Sequence, residues 1–419
     1  MSDGDGLTAD LTSAEHIECP YHLYGRLHRG DGVAVDPAVG VMVAGYDDIV
    51  ELSKNTSLFS SSISEDGKGP RHMGVGSDPV QPDVEEILAR AHPVVNALFT
   101  ADPPVHTRHR KLISKALSPR RVRELEPRIR DIAADLVESF VAAGEVDLLK
   151  QFAIPLPVTV ISDILGVDRA DMWTFKHWGD LMIAGNIDVL NHERRREVAH
   201  AVVALHEYFV PRIEQRRRQP TGDLLSEMVN AEVDGEGRLT TEELLPIIDQ
   251  VLLAGHETTT NLIGNAMLVL LRDPALMARV RGEPALIETF LEEVLRFDAP
   301  IQCTYRRATA DTALRGTPVQ RGQMVVPLWA AAGRDPAVFP RPEEFDLDRS
   351  NVRLHMGFGY GPHFCAGAEL ARLEARIAFE TLLARLRAIE LDSEASDLAH
   401  LPSFAARGYR RIVLRFRGS

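Results

Sequence analysis

Hydrophobic and polar positions alternate with helical spacing over most of the chain. Between residues 104 and 290, apolar residues recur every three to four positions, as in RVRELEPRIRDIAADLVESFVAAG, which predicts successive amphipathic helices. Residues 33–46 and 306–328 instead show β-branched runs and alternation between turn residues, which predicts strands. The pattern therefore predicts a mainly α chain with small β-sheets.

No internal repeat or interdomain linker interrupts the sequence, which favours one large α-rich domain over residues 1–419. Residues 60–100 contain many Gly, Ser and Pro and predict a long surface loop with little regular structure. Loops of that length are usually functional or disordered. The acidic start has neither a basic region nor an apolar core, so it does not predict a signal peptide, and residues 1–18 are predicted to be a disordered tail.

Charge and composition exclude several classes of partner. The 419 residues include 47 Lys and Arg against 61 Asp and Glu, a net charge of −14, which argues against nucleic acid or an anionic membrane as the main partner. The longest apolar run, at 266–271, is far shorter than the ~20 residues that span a bilayer. We expect no membrane anchor and a cytoplasmic location. Three widely spaced cysteines predict neither a disulfide framework nor a zinc cluster.

One cysteine stands in a glycine-rich loop directly ahead of an amphipathic run. The loop GFGYGPHFCAG at 357–367 contains Cys365, and residues 366–389 continue with helical spacing. A helix N-terminus favours thiolate over thiol, and glycines let backbone N–H groups approach the sulfur. These features suit a thiolate that ligates a metal. The alternative is a buried free cysteine beside a helix end, but the full spacing F-G-x-G-x-H-x-C-x-G argues against it.

This spacing resembles the haem-thiolate loop of the cytochrome P450 family, and further motifs of the family follow over nearly the whole chain. The resemblance is closest to the soluble bacterial monooxygenases. It implies the cytochrome P450 fold, a single large α-rich domain around a buried haem b (iron protoporphyrin IX). It also implies that Cys365 is the metal ligand and that Phe358 contacts the haem.

The segment LLAGHETTTNL at 252–262 lies inside a long helical pattern that begins with a capping-box sequence, TTEE, at 240–243. By itself it is equally compatible with an ordinary polar helix face. In the family, A-G-x-[D/E]-T-T forms a groove for O2 over the haem. The resemblance implies that Thr258 and Glu257 deliver protons for cleavage of the O–O bond, and a hydroxyl backed by a carboxylate can supply such protons by relay.

The two haem propionates call for cations from separate segments. The resemblance assigns this role to four residues: His106, Arg110, Arg306 and His363. Each could instead be a surface cation, and we interpret the neighbouring His109 and Arg307 in that way.

Glu293 and Arg296 lie three residues apart on one predicted helix face. That spacing is most often an exposed ion pair of little energetic value. The resemblance implies a buried structural network with Arg349 instead. The sequence departs from the family at Gly333, in A-A-G-R-D-P, where Asn is usual.

The electron source is expected to be another protein. The sequence has no G-x-G-x-x-G motif after a strand and no cysteine cluster for an iron–sulfur centre. Electrons from NAD(P)H would arrive through a ferredoxin (or flavodoxin) and its reductase, unless peroxide bypasses them. Five cations within fourteen residues predict a docking patch for an acidic partner, or alternatively a solvated helix face: Arg108, Lys111, Lys115, Arg120 and Arg121.

The function implied is O2-dependent hydroxylation of a compact hydrophobic substrate such as a steroid, terpenoid or aromatic molecule. The predicted lining combines residues 60–100 and 182–190 with four further positions: Leu253, Ala254, Gln302 and Phe404. One alternative is a haem-thiolate protein that binds or senses a ligand without oxygenating it. The acid–alcohol pair argues against that alternative, because a binder needs no proton relay. A peroxide-driven peroxygenase and a carbon–carbon bond-forming oxidase remain further alternatives.

Overall fold

A computed structural model describes residues 10–62, 80–187, 190–232 and 237–418, except for the side chains of 183–187. The α-helices, in chain order, are α1 (Ala14–Glu18), α2 (Tyr21–Arg29), α3 (Tyr46–Lys54), α4 (Pro82–Leu88), α5 (Val105–Ala116), α6 (Pro119–Phe140), α7 (Pro155–Leu165), α8 (Met172–Ile187), α9 (His192–Arg218), α10 (Leu224–Asn230), α11 (Thr241–Arg272), α12 (Pro274–Gly282), α13 (Leu286–Phe297), α14 (Trp329–Ala332) and α15 (Ala368–Arg385). The strands are β1 (Val33–Asp36), β2 (Gly40–Val43), β3 (Phe59–Ser60), β4 (Glu145–Asp147), β5 (Arg306–Ala308), β6 (Thr312–Leu314), β7 (Thr317–Val319), β8 (Met324–Pro327), β9 (Leu386–Leu391), β10 (Asp397–His400), β11 (Tyr409–Arg411) and β12 (Val413–Gly418).

The chain divides into two compact units, each built from separate parts of the sequence. The first unit comprises Met1–Phe59, Val122–Pro157 and Glu257–Ser419. The second unit comprises Ser60–Arg121 and Val158–His256. Each unit is described by itself below, and the single-domain organisation stays a prediction.

The main sheet of the first unit contains the hairpin predicted for residues 33–46. β1 and β2 pair antiparallel, with Val33 opposite Val43, and the strand order of the sheet is β1-β2-β8-β5-β3. The buried side chains of Val41 and Val325 pack in the core of this sheet. β-Branched residues suit such pleated, buried surfaces, which explains why this part of the sequence pattern was informative.

The helix that follows the cysteine loop is shorter than predicted. α15 ends at Arg385, and the next residues form β9, which pairs antiparallel with β12 in the first unit. Ile389 therefore lies in a strand, although helical spacing was predicted as far as that residue. The segment LRAIEL has apolar positions that serve a strand as well as a helix, so periodicity alone does not mark the boundary.

The predicted disordered tail at 1–18 is wrong for its second half. α1 begins after Ser13, whose hydroxyl accepts a backbone hydrogen bond. Leu11 is buried, and its N–H donates to a carboxylate oxygen of Asp36 at 2.7 Å. A buried leucine and a capped helix hold this segment against the first unit. Residues 1–9 lie outside the described residues.

In the second unit, the prediction of an irregular loop at 60–100 is wrong for part of that segment. α4 lies within it, with a proline and acidic residues in its first turn, and Leu98–Thr100 form a 3₁₀ turn. Proline and acidic side chains are both favoured at the start of a helix, so they promote this element. Residues 63–79 and the side chains at 183–189 of the predicted lining lie outside the described residues.

α11 begins at the predicted capping box. The N–H of Glu243 donates to the Thr240 hydroxyl at 3.2 Å, and the N–H of Thr240 donates to the Glu243 carboxylate at 2.8 Å. The helix continues without interruption to Arg272, so the glycine and threonines of LLAGHETTTNL do not break it. Within the described ranges, neither α11 nor another helix is long and apolar enough to cross a membrane.

Candidate active site

The glycine-rich loop of the first unit holds Cys365 between a 3₁₀ helix and α15. The 3₁₀ helix covers Gly361–His363, and the N–H of Cys365 donates to the carbonyl oxygen of Phe358 at 2.8 Å, which closes the loop. The cysteine is half-buried, and α15 begins three residues later at Ala368. Its sulfur therefore lies just ahead of a helix N-terminus, where negative charge is stabilised.

Gly361 shows why this loop needs glycine. Its backbone has a φ of +75°, a value that residues with a side chain rarely adopt. A Cβ atom built at this position would lie 3.0 Å from the carbonyl oxygen of Ser53 on α3. The loop can approach α3 this closely only without a side chain, so this glycine fixes where the cysteine lies relative to α3.

The environments of the three cysteines differ in a way that selects Cys365. Burial raises the pKa of Cys303 to about 12, so this thiol stays protonated at neutral pH. Cys19 is the C-cap of the five-residue helix α1 and stands outside any glycine-rich loop. Cys365 combines partial exposure with a helix N-terminus and aromatic neighbours, since Phe358 and Phe364 lie 6.2 Å apart between ring centroids. This donor set fits a thiolate ligand of a haem iron.

The middle of α11 carries polar groups on an open strip of its surface. Ala254 is exposed, and Glu257 and Thr258 are half-buried, whereas Leu253 and His256 are buried. The predicted acid and alcohol therefore lie next to each other on a part of the helix that solvent reaches. An acid and an alcohol so placed can exchange protons with solvent and pass them on.

The two threonines after Thr258 bind other parts of the first unit. The Thr260 hydroxyl donates to the carbonyl oxygen of Ala153 at 2.9 Å, and the Thr259 side chain hydrogen-bonds Glu374 on α15. These contacts fix this part of α11. Thr258 is thus the threonine of the three that belongs to the open strip.

Glu374 is a site residue that the sequence analysis missed. Its side chain is wholly buried, and burial raises its pKa to about 8 despite the hydrogen bond to Thr259. The carboxyl group is therefore neutral at pH 7. Its position in the sequence could have indicated its burial, because Glu374 lies four residues after Leu370 and three before Ile377 on the buried face of α15.

The predicted propionate-binding cations lie on structured elements in both units. In the first unit, Arg306 is buried on β5 and donates from Nη1 to its neighbour's carbonyl oxygen at 2.7 Å, while His363 is half-buried in the 3₁₀ helix before the cysteine. In the second unit, His106 is buried and Arg110 is half-buried, four residues apart on α5. Buried or half-buried cations of this kind fit a group that carries two carboxylates.

The interpretation of His109 as a surface cation is wrong. In the second unit its side chain is fully buried, and its Nδ1 accepts a hydrogen bond from the N–H of Leu98 at 3.2 Å. Burial lowers its pKa, although the carboxylate of Glu243, 3.6 Å from Nε2, opposes this effect. His109 is therefore a neutral core residue that holds the preceding 3₁₀ turn.

The predicted cationic patch is smaller than its sequence suggests. Within the second unit, Arg108 forms a 2.7 Å ion pair with Glu243, and Arg121 forms one with Glu227. These pairs offset the charges of Arg108 and Arg121. Exposed cations lie on α5 and at the start of α6: Lys111, Lys115 and Arg120.

Glu293, Arg296 and Arg349 form a buried network in the first unit. Arg296 donates two hydrogen bonds of 2.8 Å to the Glu293 carboxylate, and Arg349 donates a third at 3.1 Å. The side chains of Glu293 and Arg296 are 0% exposed, which excludes the surface ion pair considered above. The departure at Gly333 also has a reason: its carbonyl oxygen accepts from Arg296, and a Cβ there would lie 2.6 Å from the Arg296 carbonyl oxygen.

Gln302, a predicted substrate contact, is buried in the first unit, where its Oε1 accepts from the Tyr24 hydroxyl at 2.8 Å and its Nε2 donates to the Ala299 carbonyl oxygen at 2.6 Å. Each end of the amide thus has a partner inside the protein, and a contact with substrate stays a prediction. Phe404 is half-buried and lies edge-on to Tyr305, with 6.4 Å between ring centroids.

Comparisons with known proteins identify the family. A family model described as Cytochrome P450 matches residues 158–405 of this chain. The chain belongs to the cytochrome P450 family. The P450 fold and the monooxygenase class predicted from the sequence are thereby confirmed.

Three relatives illustrate the similarity. Cytochrome P450 109 from Bacillus spizizenii (strain ATCC 23059 / NRRL B-14472 / W23) is 35% identical over 412 residues, which cover 97% of this chain and 94% of that protein. The 6-deoxyerythronolide B hydroxylase of Saccharopolyspora erythraea is 37% identical over 319 residues, 76% of this chain and 78% of the hydroxylase. The structure of CYP109E1 from Bacillus megaterium in complex with testosterone aligns with a TM-score of 0.82 and 30% identity, covering 96% of this chain and 99% of that one.

Proposed function

We propose that this P450 is a monooxygenase that hydroxylates a compact hydrophobic substrate, with Cys365 as the thiolate ligand of a haem b. The observation that carries the proposal is the cysteine loop, in which the Cys365 N–H closes on Phe358 directly ahead of α15. Among the cysteines, Cys365 alone combines this closure with a helix N-terminus. The proposal names residues for each task that such an enzyme needs.

Five residues are proposed to hold the haem. Phe358 would contact the macrocycle, and the propionates would bind four cations: His106, Arg110, Arg306 and His363. When bound, the haem supplies reductive activation of O2, with the thiolate donating electron density to the iron. Arginine is suited to the carboxylates because its planar guanidinium can bind them with two parallel hydrogen bonds.

Glu257 and Thr258, on the part of α11 that solvent reaches, are proposed to deliver the protons. Glu257 would take a proton from solvent at its carboxylate, and the Thr258 hydroxyl would pass a proton on towards O2 while accepting another in return. One turnover consumes one O2, two electrons and two protons, and it yields one hydroxylated product and one water. A relay of this kind typically contributes ~10²–10⁴-fold to rate.

Electrons are proposed to come from NAD(P)H through a separate ferredoxin (or flavodoxin) and its reductase. The sequence contains no dinucleotide-binding motif and no cysteine cluster for an iron–sulfur centre. Lys111, Lys115 and Arg120 are exposed cations on a chain of net charge −14, and they offer a local site for an acidic partner.

Steroids are the substrate class that we propose to test first. CYP109E1 has been solved in complex with testosterone, which is a steroid. Leu253, Ala254 and Phe404 are among the predicted lining residues, and all three are apolar. Apolar linings with few polar groups suit such molecules.

The test is isotopic labelling. The haem-loaded protein is combined with a surrogate ferredoxin, its reductase and NAD(P)H under ¹⁸O2, with a steroid library that includes testosterone, and products are analysed by mass spectrometry. We expect one ¹⁸O atom in each hydroxylated product. A product formed only when hydrogen peroxide is supplied would indicate a peroxygenase. A ligand-induced Soret shift without product would indicate a binding or sensing protein, and either result would contradict the proposal.

A further inference from the structure

A second buried charged network in the first unit connects the two flanks of the cysteine loop. Its centre is Glu292, which precedes the network residue Glu293 and is 3% exposed. The Glu292 carboxylate binds His355 Nε2 at 3.0 Å, and it binds Arg372 through Nε at 2.6 Å and Nη2 at 3.1 Å. His355 lies just before the loop at 357–367, and Arg372 lies in α15 just after it. Glu292 thus holds both ends of the loop.

The hydrogen bonds fix the tautomer of His355. The N–H of Gly357 donates to His355 Nδ1 at 3.0 Å, so this nitrogen carries the lone pair. His355 Nε2 therefore carries the proton and donates it to Glu292. In this arrangement the histidine is neutral, and the charges of the network are the negative one on Glu292 and the positive one on Arg372.

Arg372 is the member of the network that acts on the cysteine. Its guanidinium carbon lies 4.5 Å from the ring centroid of Phe358. Burial lowers its pKa, but the hydrogen bond and charge of Glu292 and the charges of Glu369 and Cys365 raise it overall. The guanidinium lies over Phe358, whose carbonyl oxygen accepts from the Cys365 N–H, so its positive charge is placed where it can stabilise negative charge on the sulfur.

Glu292 stays ionised despite its burial. Burial would raise its pKa, but the hydrogen bonds from His355 and Arg372, together with the charge of Arg372, lower the pKa to about 2. The carboxylate therefore opposes the charge of Arg372 throughout the physiological pH range. Glu292 is 3% exposed and Arg372 is 26% exposed at its side chain, so solvent and salt screen the pair only partly and part of the cancellation reaches the sulfur.

We propose that Glu292 is a positioning residue whose charge cancels that of Arg372 beside the thiolate and so sets the reduction potential of the haem iron. The inference rests on the proposed ligation by Cys365. Reduction adds an electron to the iron–thiolate unit, so a nearby uncompensated positive charge favours the ferrous state. Outer groups that alter charge on a metal ligand tune a metal in this way.

The test measures the midpoint potential of the haem-loaded protein by spectroelectrochemical titration. Glu292→Gln keeps the size of the side chain but removes its charge, and we expect a more positive potential. At the midpoint of the wild type, the ferrous-to-ferric ratio should rise on the order of tenfold, which corresponds to about 1.4 kcal/mol of electrostatic interaction with the added electron. Arg372→Gln should lower the potential, and the double variant should return close to the wild type.

The matched control is Glu369→Gln. Glu369 pairs with the same arginine at 3.4 Å, but its side chain is 57% exposed, so solvent screens its charge and we expect almost no shift. An equal shift in this control would overturn the proposal. So would shifts of the same sign in Glu292→Gln and Arg372→Gln, because damage to the loop rather than charge would then explain both.

Two further measurements keep the result interpretable. If Glu292→Gln fails to hold haem, Glu292→Asp must retain the wild-type potential and Arg372→Gln must still lower it, and failure of either contradicts the inference. The carbon monoxide spectrum is recorded in parallel. A band near 450 nm that is lost in Cys365→Ser supports the ligand assignment whatever the potentials show, so the two proposals can fail separately.

Discussion

The buried carboxyl group of Glu374 gives a prediction that needs no substrate. Glu374 is wholly buried on α15, with its pKa raised from 4.5 to about 8 by burial and with Thr259 as its hydrogen-bond partner. Replacing it by glutamine keeps the shape and leaves a neutral side chain that can still hydrogen-bond the threonine. The variant therefore removes the titration while preserving the packing.

The sign and size of the effect follow from proton binding. Below pH 4.5 the carboxyl group is protonated in both folded and unfolded chains. Between pH 4.5 and about 8 the unfolded chain releases the proton while the folded chain keeps it, so rising pH destabilises the wild type. At about 1.4 kcal/mol per pH unit, this difference reaches an upper bound of roughly 5 kcal/mol above pH 8. Glu374→Gln should therefore gain stability relative to the wild type as the pH rises.

The assay is urea denaturation of the haem-loaded wild type and variant at pH 5.5, 7 and 8.5, followed by circular dichroism. We expect the stability gain of Glu374→Gln over the wild type to be small at pH 5.5, one pH unit above the unfolded pKa and therefore about 1.4 kcal/mol, and clearly larger at pH 8.5. Glu369→Gln, on the exposed face of the same helix, is the control and should show no such pH-dependent gain. A difference between Glu374→Gln and the wild type that is independent of pH would refute the reasoning, because the carboxyl group would then not be held neutral by the fold.

Three further predictions concern the relay, the buried network and the electron partner. Thr258→Ala should bind substrate almost normally, while NAD(P)H oxidation yields hydrogen peroxide in place of product. Glu257→Gln should slow turnover by ~10²–10⁴-fold. Full coupling of NAD(P)H oxidation to product in the threonine variant would contradict the relay. Glu293→Ala leaves two buried guanidinium groups without a carboxylate, so a thermal melt should show a loss of about 3–5 kcal/mol or failure to hold haem, and wild-type stability would disprove a structural role. Lys111→Glu or Lys115→Glu should slow transfer of the first electron and flatten its salt dependence with unchanged substrate affinity, whereas wild-type rates across a salt series would place docking elsewhere.

The sequence predicted those parts of the site whose functional residues lie close together along the chain. The loop around Cys365 and the segment around Thr258 each place several functional residue types within about a dozen positions, and a capping box marks the start of α11. Elements with local signals, such as the hairpin at 33–46, were likewise predictable. A short-range pattern suffices where the chemistry and its support are neighbours along the chain.

The residues that were missed act through contacts between distant segments. Glu292, His355 and Arg372 come together only because α13 packs on α15 and the cysteine loop, and none of them stands out in its own segment. The prediction that His109 is a surface cation was wrong for a similar reason. It lies four residues before Ile113 on an amphipathic helix, and its burial on α5 is known only from the structure. Gln302 is a polar residue whose hydrogen-bond partners, such as the Tyr24 hydroxyl, lie in the core, and the sequence around it does not indicate these partners.

The most direct test of the central claim is the spectrum of the reduced protein with carbon monoxide. We expect an absorption band near 450 nm for the wild type, because a thiolate is the haem ligand. The band should persist in Cys303→Ser, whose thiol is buried with a pKa raised to about 12, and it should be lost in Cys365→Ser. A band near 450 nm that survives in Cys365→Ser, or that is absent from the haem-loaded wild type, would contradict the account.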